Sequence, residues 1–171
     1  MERTTSALLS LGSNLGDRRA NLSQAVRQLR ALGELTAVSA LYETEPMEVT
    51  DQPWFLNCAV ELVTPLSADE LLRAALSIES SMGRQRVVVK GPRSIDIDII
   101  FFGDSVIDTP ALTVPHPALA ERRFVLVPLA EIAPEFIHPT LHRNVRELLQ
   151  SLPQGAGEAR IYSPAGWFQA F

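Results

Sequence analysis

The chain has a single cysteine among its 171 residues. Cys58 has no partner for an internal disulfide, so a disulfide-stapled secreted scaffold is excluded and a reducing, cytoplasmic setting is expected. Long apolar runs are also missing. The amino-terminal apolar stretch, Ala7–Leu11, follows Glu2 and Arg3 and is too short for a signal-peptide core or a bilayer span, so no membrane partner is expected. Positive charge is scarce overall: 15 Lys and Arg face 20 Asp and Glu, giving a net charge of -5 and a pI near 5.2. Duplex binding needs a broad basic face, so nucleic acid is not expected as a partner. Repeats, linkers and low-complexity segments are absent. Gly12 and Gly16 lack the following Gly-Lys-Ser/Thr of a phosphate loop and read as turn residues. With 46% hydrophobic residues the chain can bury one core, and a single domain over 1–171, monomeric, is the expectation.

The positive charges that do occur are concentrated beside two acids. Lys90-Gly91-Pro92-Arg93 leads into Ser94-Ile95-Asp96-Ile97-Asp98-Ile99, with Arg84 and Arg86 just upstream. On a strand, alternation puts Asp96 and Asp98 on one face and Ile95, Ile97, Ile99 and Phe101 on the other. The two acidic Cβ atoms then lie roughly 6.5–7 Å apart, a span that hard divalent cations can neutralise. Paired acids for Mg²⁺ beside a local group of cations for phosphate describe a nucleoside triphosphate site, and a small ligand.

The surrounding pattern is mixed. Ala7–Leu11 reads as a strand, Asp17 as the cap of a helix carrying Leu22, Ala25, Val26, Leu29 and Leu32, and Gly33 as the residue after that helix. Strands follow at Leu35–Tyr42 and at about Phe55–Val63. Ser67 with Glu70 forms a capping box ahead of a helix whose stripe is Leu71, Leu72, Ala75, Leu76, Ile78 and Met82. The Asp96/Asp98 strand completes an α+β, ferredoxin-like β-α-β-β-α-β core, an antiparallel sheet with both helices on one face. A proline-rich C-terminal extension follows, with short helices near Val127–Ile132 and Asn144–Leu149. With Leu56, Cys58, Val60 and Leu62 under the helices, Phe55, Asn57 and Glu61 go to the open face, either as surface residues or as part of a site shared with the two acids. Glu79 lies in the apolar stripe, where an acid either pairs with an arginine or meets a ligand. Gly83–Arg93 is long for a helix-to-strand connection and reads as a mobile lid. The β-α-β-β-α-β order is shared with RNA-binding modules, and paired acids with metal-dependent phosphohydrolases.

Several ordered motifs resemble the 6-hydroxymethyl-7,8-dihydropterin pyrophosphokinase family: Leu11-Gly12-Ser13-Asn14-Leu15-Gly16-Asp17, Tyr42-Glu43-Thr44 with Pro46, Asp51-Gln52-Pro53 before Phe55-Leu56-Asn57, Gly83-Arg84-Gln85-Arg86, Gly91 to Asp98, and Val114-Pro115-His116-Pro117. The resemblance implies Mg²⁺-dependent transfer of pyrophosphate from ATP to a pterin alcohol, releasing AMP. It implies two Mg²⁺ ions on Asp96 and Asp98, with Arg84 and Arg93 also in the catalytic group. It places Glu79, Arg84, Arg86, Arg93, Thr113, His116 and Arg122 around ATP, and Lys90 and Ile99 are expected beside them. Phe55 and Phe124 sandwich the pterin by the same resemblance, with Asn57 and the segment carrying Thr44, Glu45 and Met47 bonding its edge. His116 reads as a phosphate donor in preference to a general base. The chain departs from the family at Val89-Lys90, where an Arg-Trp pair is common, at Glu48, where glycine is usual, and at Ala111.

Overall fold

The computed structural model describes residues 3–47, 51–83, 93–155 and 157–170. β1 (Thr5–Ser13) is the central strand and is buried from Ala7 onward, as its unbroken apolar run requires of a strand covered on both faces. It pairs antiparallel with β4 (Phe55–Thr64) on one side and β5 (Asp96–Phe102) on the other. α1 (Arg18–Leu29) begins at Asp17, whose carboxylate accepts from the Ala20 N–H at 3.1 Å. α2 (Ala68–Ser81) begins with the expected reciprocal box: Glu70 N–H donates to Ser67 Oγ, and Ser67 N–H donates to Glu70 Oε1. Both helices cover one face of the sheet, where Leu9, Leu11, Leu22, Leu29, Leu62, Leu71 and Ile97 form a continuous core. Leu76, expected in that stripe, is 48% exposed and faces outward.

Three sequence expectations change for physical reasons. The strand expected over Leu35–Tyr42 is two strands, β2 (Glu34–Val38) and β3 (Leu41–Thr44), laid end to end along β4. Ser39 and Ala40 break it: the Ala40 N–H donates to the Glu131 carboxylate at 3.1 Å, and the Ser39 carbonyl accepts from Trp167 Nε1 at 2.9 Å. Gly33 is extended (φ 162), so it is not a left-handed helix end. It is required instead by close approach, since a Cβ there would lie 2.2 Å from the Val63 carbonyl oxygen. Phe101 does not share the face of Ile95, Ile97 and Ile99. Leu9 pairs with Ile99 but Leu8 with Phe101, so Ile100 is an extra residue, and the bulge turns Phe101 to the opposite face.

The opposite face is only half open. Past Gly103 come a small hairpin, β6 (Ile107–Asp108) with β7 (Thr113–Val114), then α3 (Arg123–Ile132) and α4 (Val145–Gln150). α3 and α4 close a second core on Leu8, Ala59, Ile100 and Phe101 through Leu126, Leu129, Val145 and Leu148. β8 (Ala159–Ser163) then joins the sheet beside β3, giving the order β5-β1-β4-β3-β8. The residues expected as an extension are thus folded into the sheet and its second core. No helix among the described residues is long and apolar enough to cross a membrane.

Candidate active site

The uncovered half of the second face holds a cavity of about 260 Å³. Strand register builds its floor. Gly12 lies opposite Asp96 on one side and Asn57 on the other, and Ser10 lies opposite Asp98 and Ala59. The row Asp96–Gly12–Asn57 therefore sets an acid and an amide on either side of a residue with no side chain. A Cβ on Gly12 would come within 2.6 Å of Asn57 Nδ2. Gly12 is thus a strand residue that makes room for the amide rather than a turn residue; Gly16, with φ 71, is the turn.

Asn57 is 4% exposed and held by neutral partners. Its Oδ1 accepts from the Thr44 hydroxyl and its Nδ2 donates to the Leu11 carbonyl at 3.3 Å. Each end of an amide has two hydrogen-bonding positions, so this arrangement leaves capacity toward the cavity while fixing the plane. Phe55 and Phe124 line the same cavity, as do Thr44, Glu45, Met47 and Gln52. The Arg122 guanidinium lies over the Phe124 ring at 5.5 Å.

The other end is charged. Asp96 and Asp98 line the cavity from the start of β5, and Arg93 Nη1 donates to Asp96 Oδ2 at 3.0 Å. Burial, then the neighbouring Asp96 and Glu79, push the Asp98 carboxyl up to about 7, against the pull of Arg122 and Arg93. Arg93 Nε is buried with no hydrogen-bond partner among the described residues. His116 accepts the Ala118 N–H on Nδ1 at 3.2 Å, which leaves the proton of a neutral imidazole on Nε2. Burial and then Arg122 hold its pKa below the usual histidine value, so neutral is its ordinary state at pH 7.

Two acids with only oxygen donors fit a hard cation that takes its other ligands from water and phosphate, as Mg²⁺ does. Among the described residues no group of three or more His, Cys, Asp or Glu is arranged to hold a metal alone.

Eleven of the residues expected from sequence come together here: Thr44, Glu45, Met47, Phe55, Asn57, Arg93, Asp96, Asp98, His116, Arg122 and Phe124. Three others do not line the cavity. Glu79 is buried behind β5, where its carboxylate accepts from the Ile97 N–H at 2.8 Å. Ile99 is in the helix-side core and Thr113 is exposed on β7. Glu61, expected on the open face, sits at the far end of β4 and accepts from Ser6 Oγ at 2.9 Å. Arg84, Arg86, Lys90 and Glu48 lie outside the described residues, as does the expected lid between Gly83 and Arg93.

Sequence reasoning gave no role to Asn14. Its side chain is 2% exposed. Nδ2 donates to Gln52 Oε1 and the Pro53 carbonyl at 2.9 Å, Oδ1 accepts from the Arg93 N–H at 2.8 Å, and its backbone N–H donates to the Arg93 carbonyl. One side chain thereby ties the approach to Phe55 to the approach to Asp96. The only sequence signal was its place in the Gly12–Asp17 motif.

Residues 8–134 match the 7,8-dihydro-6-hydroxymethylpterin-pyrophosphokinase (HPPK) family. The chain belongs to this family. It is 50% identical over 128 residues to the 2-amino-4-hydroxy-6-hydroxymethyldihydropteridine pyrophosphokinase of Bacillus subtilis, covering 74% of this chain and 77% of that protein. The protein of the same name from Methylorubrum extorquens is 46% identical, with 88% and 96% covered. The folic acid synthesis protein of Schizosaccharomyces pombe is 45% identical over 92% of this chain, and there the chain spans only 21% of its relative's length. A solved structure of Plasmodium falciparum HPPK-DHPS superimposes with a TM-score of 0.72 at 18% identity, covering 87% of this chain and 45% of that one, and shares the family fold.

Proposed function

We propose that the chain transfers a pyrophosphoryl group from ATP to the hydroxyl of 6-hydroxymethyl-7,8-dihydropterin, releasing AMP. The observation that carries this reading is the Asp96–Gly12–Asn57 row, which puts a two-acid site and a fixed amide with flanking aromatic rings into one cavity. Family membership and the matching pyrophosphokinases support it.

Asn57 presents donor and acceptor positions to the edge of a flat heterocycle, and Phe55 and Phe124 supply faces for its rings. That orientation turns the hydroxymethyl group toward Asp96 and Asp98. These two carboxylates would hold Mg²⁺, which when bound neutralises phosphate charge and favours ionisation of the attacking hydroxyl. Arg93 and Arg122 contribute positive charge to the polyphosphate, and His116 donates from Nε2. His116 is not the base in this scheme, since its Nδ1 lone pair is engaged by Ala118. The chain's own contribution is positioning and electrostatics, which in phosphoryl transfer carry most of the rate.

Incubation with ATP, Mg²⁺ and the pterin alcohol tests the proposal. AMP should form only when all three are present. AMP without the pterin would mark a hydrolase, and ADP would mark transfer of a single phosphoryl group.

A further inference from the structure

We infer that the C-terminal segment from Gly157 into β8, which lies beyond the residues matched to the family, is part of the substrate apparatus: it holds Glu45 and Met47, and separately Trp54, on the pterin side of the cavity. The inference rests on the placement of the pterin at Phe55 and Asn57. β8 pairs with β3 so that Ala159 lies opposite Thr44, the residue whose hydroxyl fixes Asn57.

At the first anchor, the Glu45 N–H donates to the Glu158 carbonyl at 3.1 Å, and Gly157 packs against Met47. Gly157 is in the left-handed region (φ 98), and a Cβ there would lie 2.5 Å from Met47 Sδ. Glycine is therefore favoured by backbone conformation, and a Cβ there would also push the Met47 side chain aside. At the other, the Arg160 guanidinium lies 5.0 Å from the centre of the Trp54 ring and donates to Glu43 at 2.8 Å. Glu43 also accepts from Arg18, which donates in turn to the Trp54 carbonyl at 2.9 Å. Trp54 immediately precedes Phe55. Displacement of either anchor moves a wall of the cavity without touching Asp96 or Asp98, so the pterin side should respond and the nucleotide side should not. Gly157 and Arg160 are accordingly positioning residues.

The test compares Michaelis constants for the two substrates in Gly157→Ala and Arg160→Gln. Gly157→Ala should raise KM for the pterin alcohol about tenfold, because small misplacements at a reacting group have large effects. Arg160→Gln, on a side chain 60% exposed and so compatible with folding, should raise it about threefold. KM for ATP should stay within about twofold in both, which a general loss of structure would not produce. Adding Met47→Ala to Gly157→Ala should be non-additive if the contact is the cause. If Gly157→Ala does not fold, Arg160→Gln decides alone. Equal rises for both substrates, a rise in only one of the two folded variants, or full additivity with Met47→Ala overturns the inference. Phe55→Ala is the control: if it too leaves the pterin KM unmoved, the placement of the pterin falls and the inference with it. If Phe55→Ala raises that KM while the β8 variants do not, only the role of β8 is overturned.

Discussion

At one end of the Asp96–Gly12–Asn57 row an amide is fixed by neutral partners; at the other, acids and cations crowd together. Asn57 is held by a hydroxyl and a carbonyl, both neutral and both supplied by strands that pack in the core. Asp98 is driven toward protonation by burial and by two neighbouring acids, and Arg93 keeps a buried Nε without a partner among the described residues. A neutral ligand can be read by groups fixed in advance. Highly charged ligands and their cations complete the electrostatics of the wall that receives them. The proposed division of labour in the cavity follows this difference in how each wall is stabilised.

The largest effect should come from breaking the charged end. Asp96→Ala and Asp98→Ala should each lower kcat by at least about 10²-fold, by analogy with removal of a preorganised electrostatic contact, with far-UV circular dichroism unchanged. Breaking the neutral end should weaken pterin binding instead. Asn57→Ala should cost ~1–3 kcal/mol of pterin affinity through unpaired polar groups, read by titration calorimetry. Phe55→Ala should lose roughly 0.5–1.5 kcal/mol beyond the loss of buried area, by the same measurement.

The smallest expected effect sharpens the comparison through pH. Asp98 has its carboxyl raised from 3.8 to about 7 in the folded protein, so the folded state binds its proton more tightly than the unfolded state. Ionisation of this group then lowers stability as pH rises from about 4 through about 7, and the loss is complete above that window. Asp98→Asn removes the charge. In EDTA its melting temperature should match wild type near pH 4 and exceed it by several degrees or more at pH 8, despite the loss of activity. A difference that does not change with pH would show that burial of the charge is not the cause.

The contrast between the walls also explains what the sequence made legible. Alternation alone put Asp96 with Asp98 and Phe55 with Asn57 on the face away from the α1 and α2 core, because each strand has one apolar row to bury. Caps announced the starts of α1 and α2. Gly12 was harder: its role appears only once register sets it between Asp96 and Asn57. The break at Ser39 depends on Glu131 and Trp167, which lie in distant parts of the chain. The bulge at Ile100 leaves no mark in composition, since Ile100, Phe101 and Phe102 are all apolar and suit either core. Glu79 is a similar case, because one of its partners is the backbone N–H of Ile97, which every non-proline residue offers.

Paired titrations of Asp98→Ala and Asn57→Ala, each with the pterin alcohol and with a non-hydrolysable ATP analogue plus Mg²⁺, test the two-wall account most directly. Asp98→Ala should lose affinity for the nucleotide by at least about tenfold more than for the pterin, and Asn57→Ala should show the reverse order. Equal losses for both ligands in both variants would contradict it.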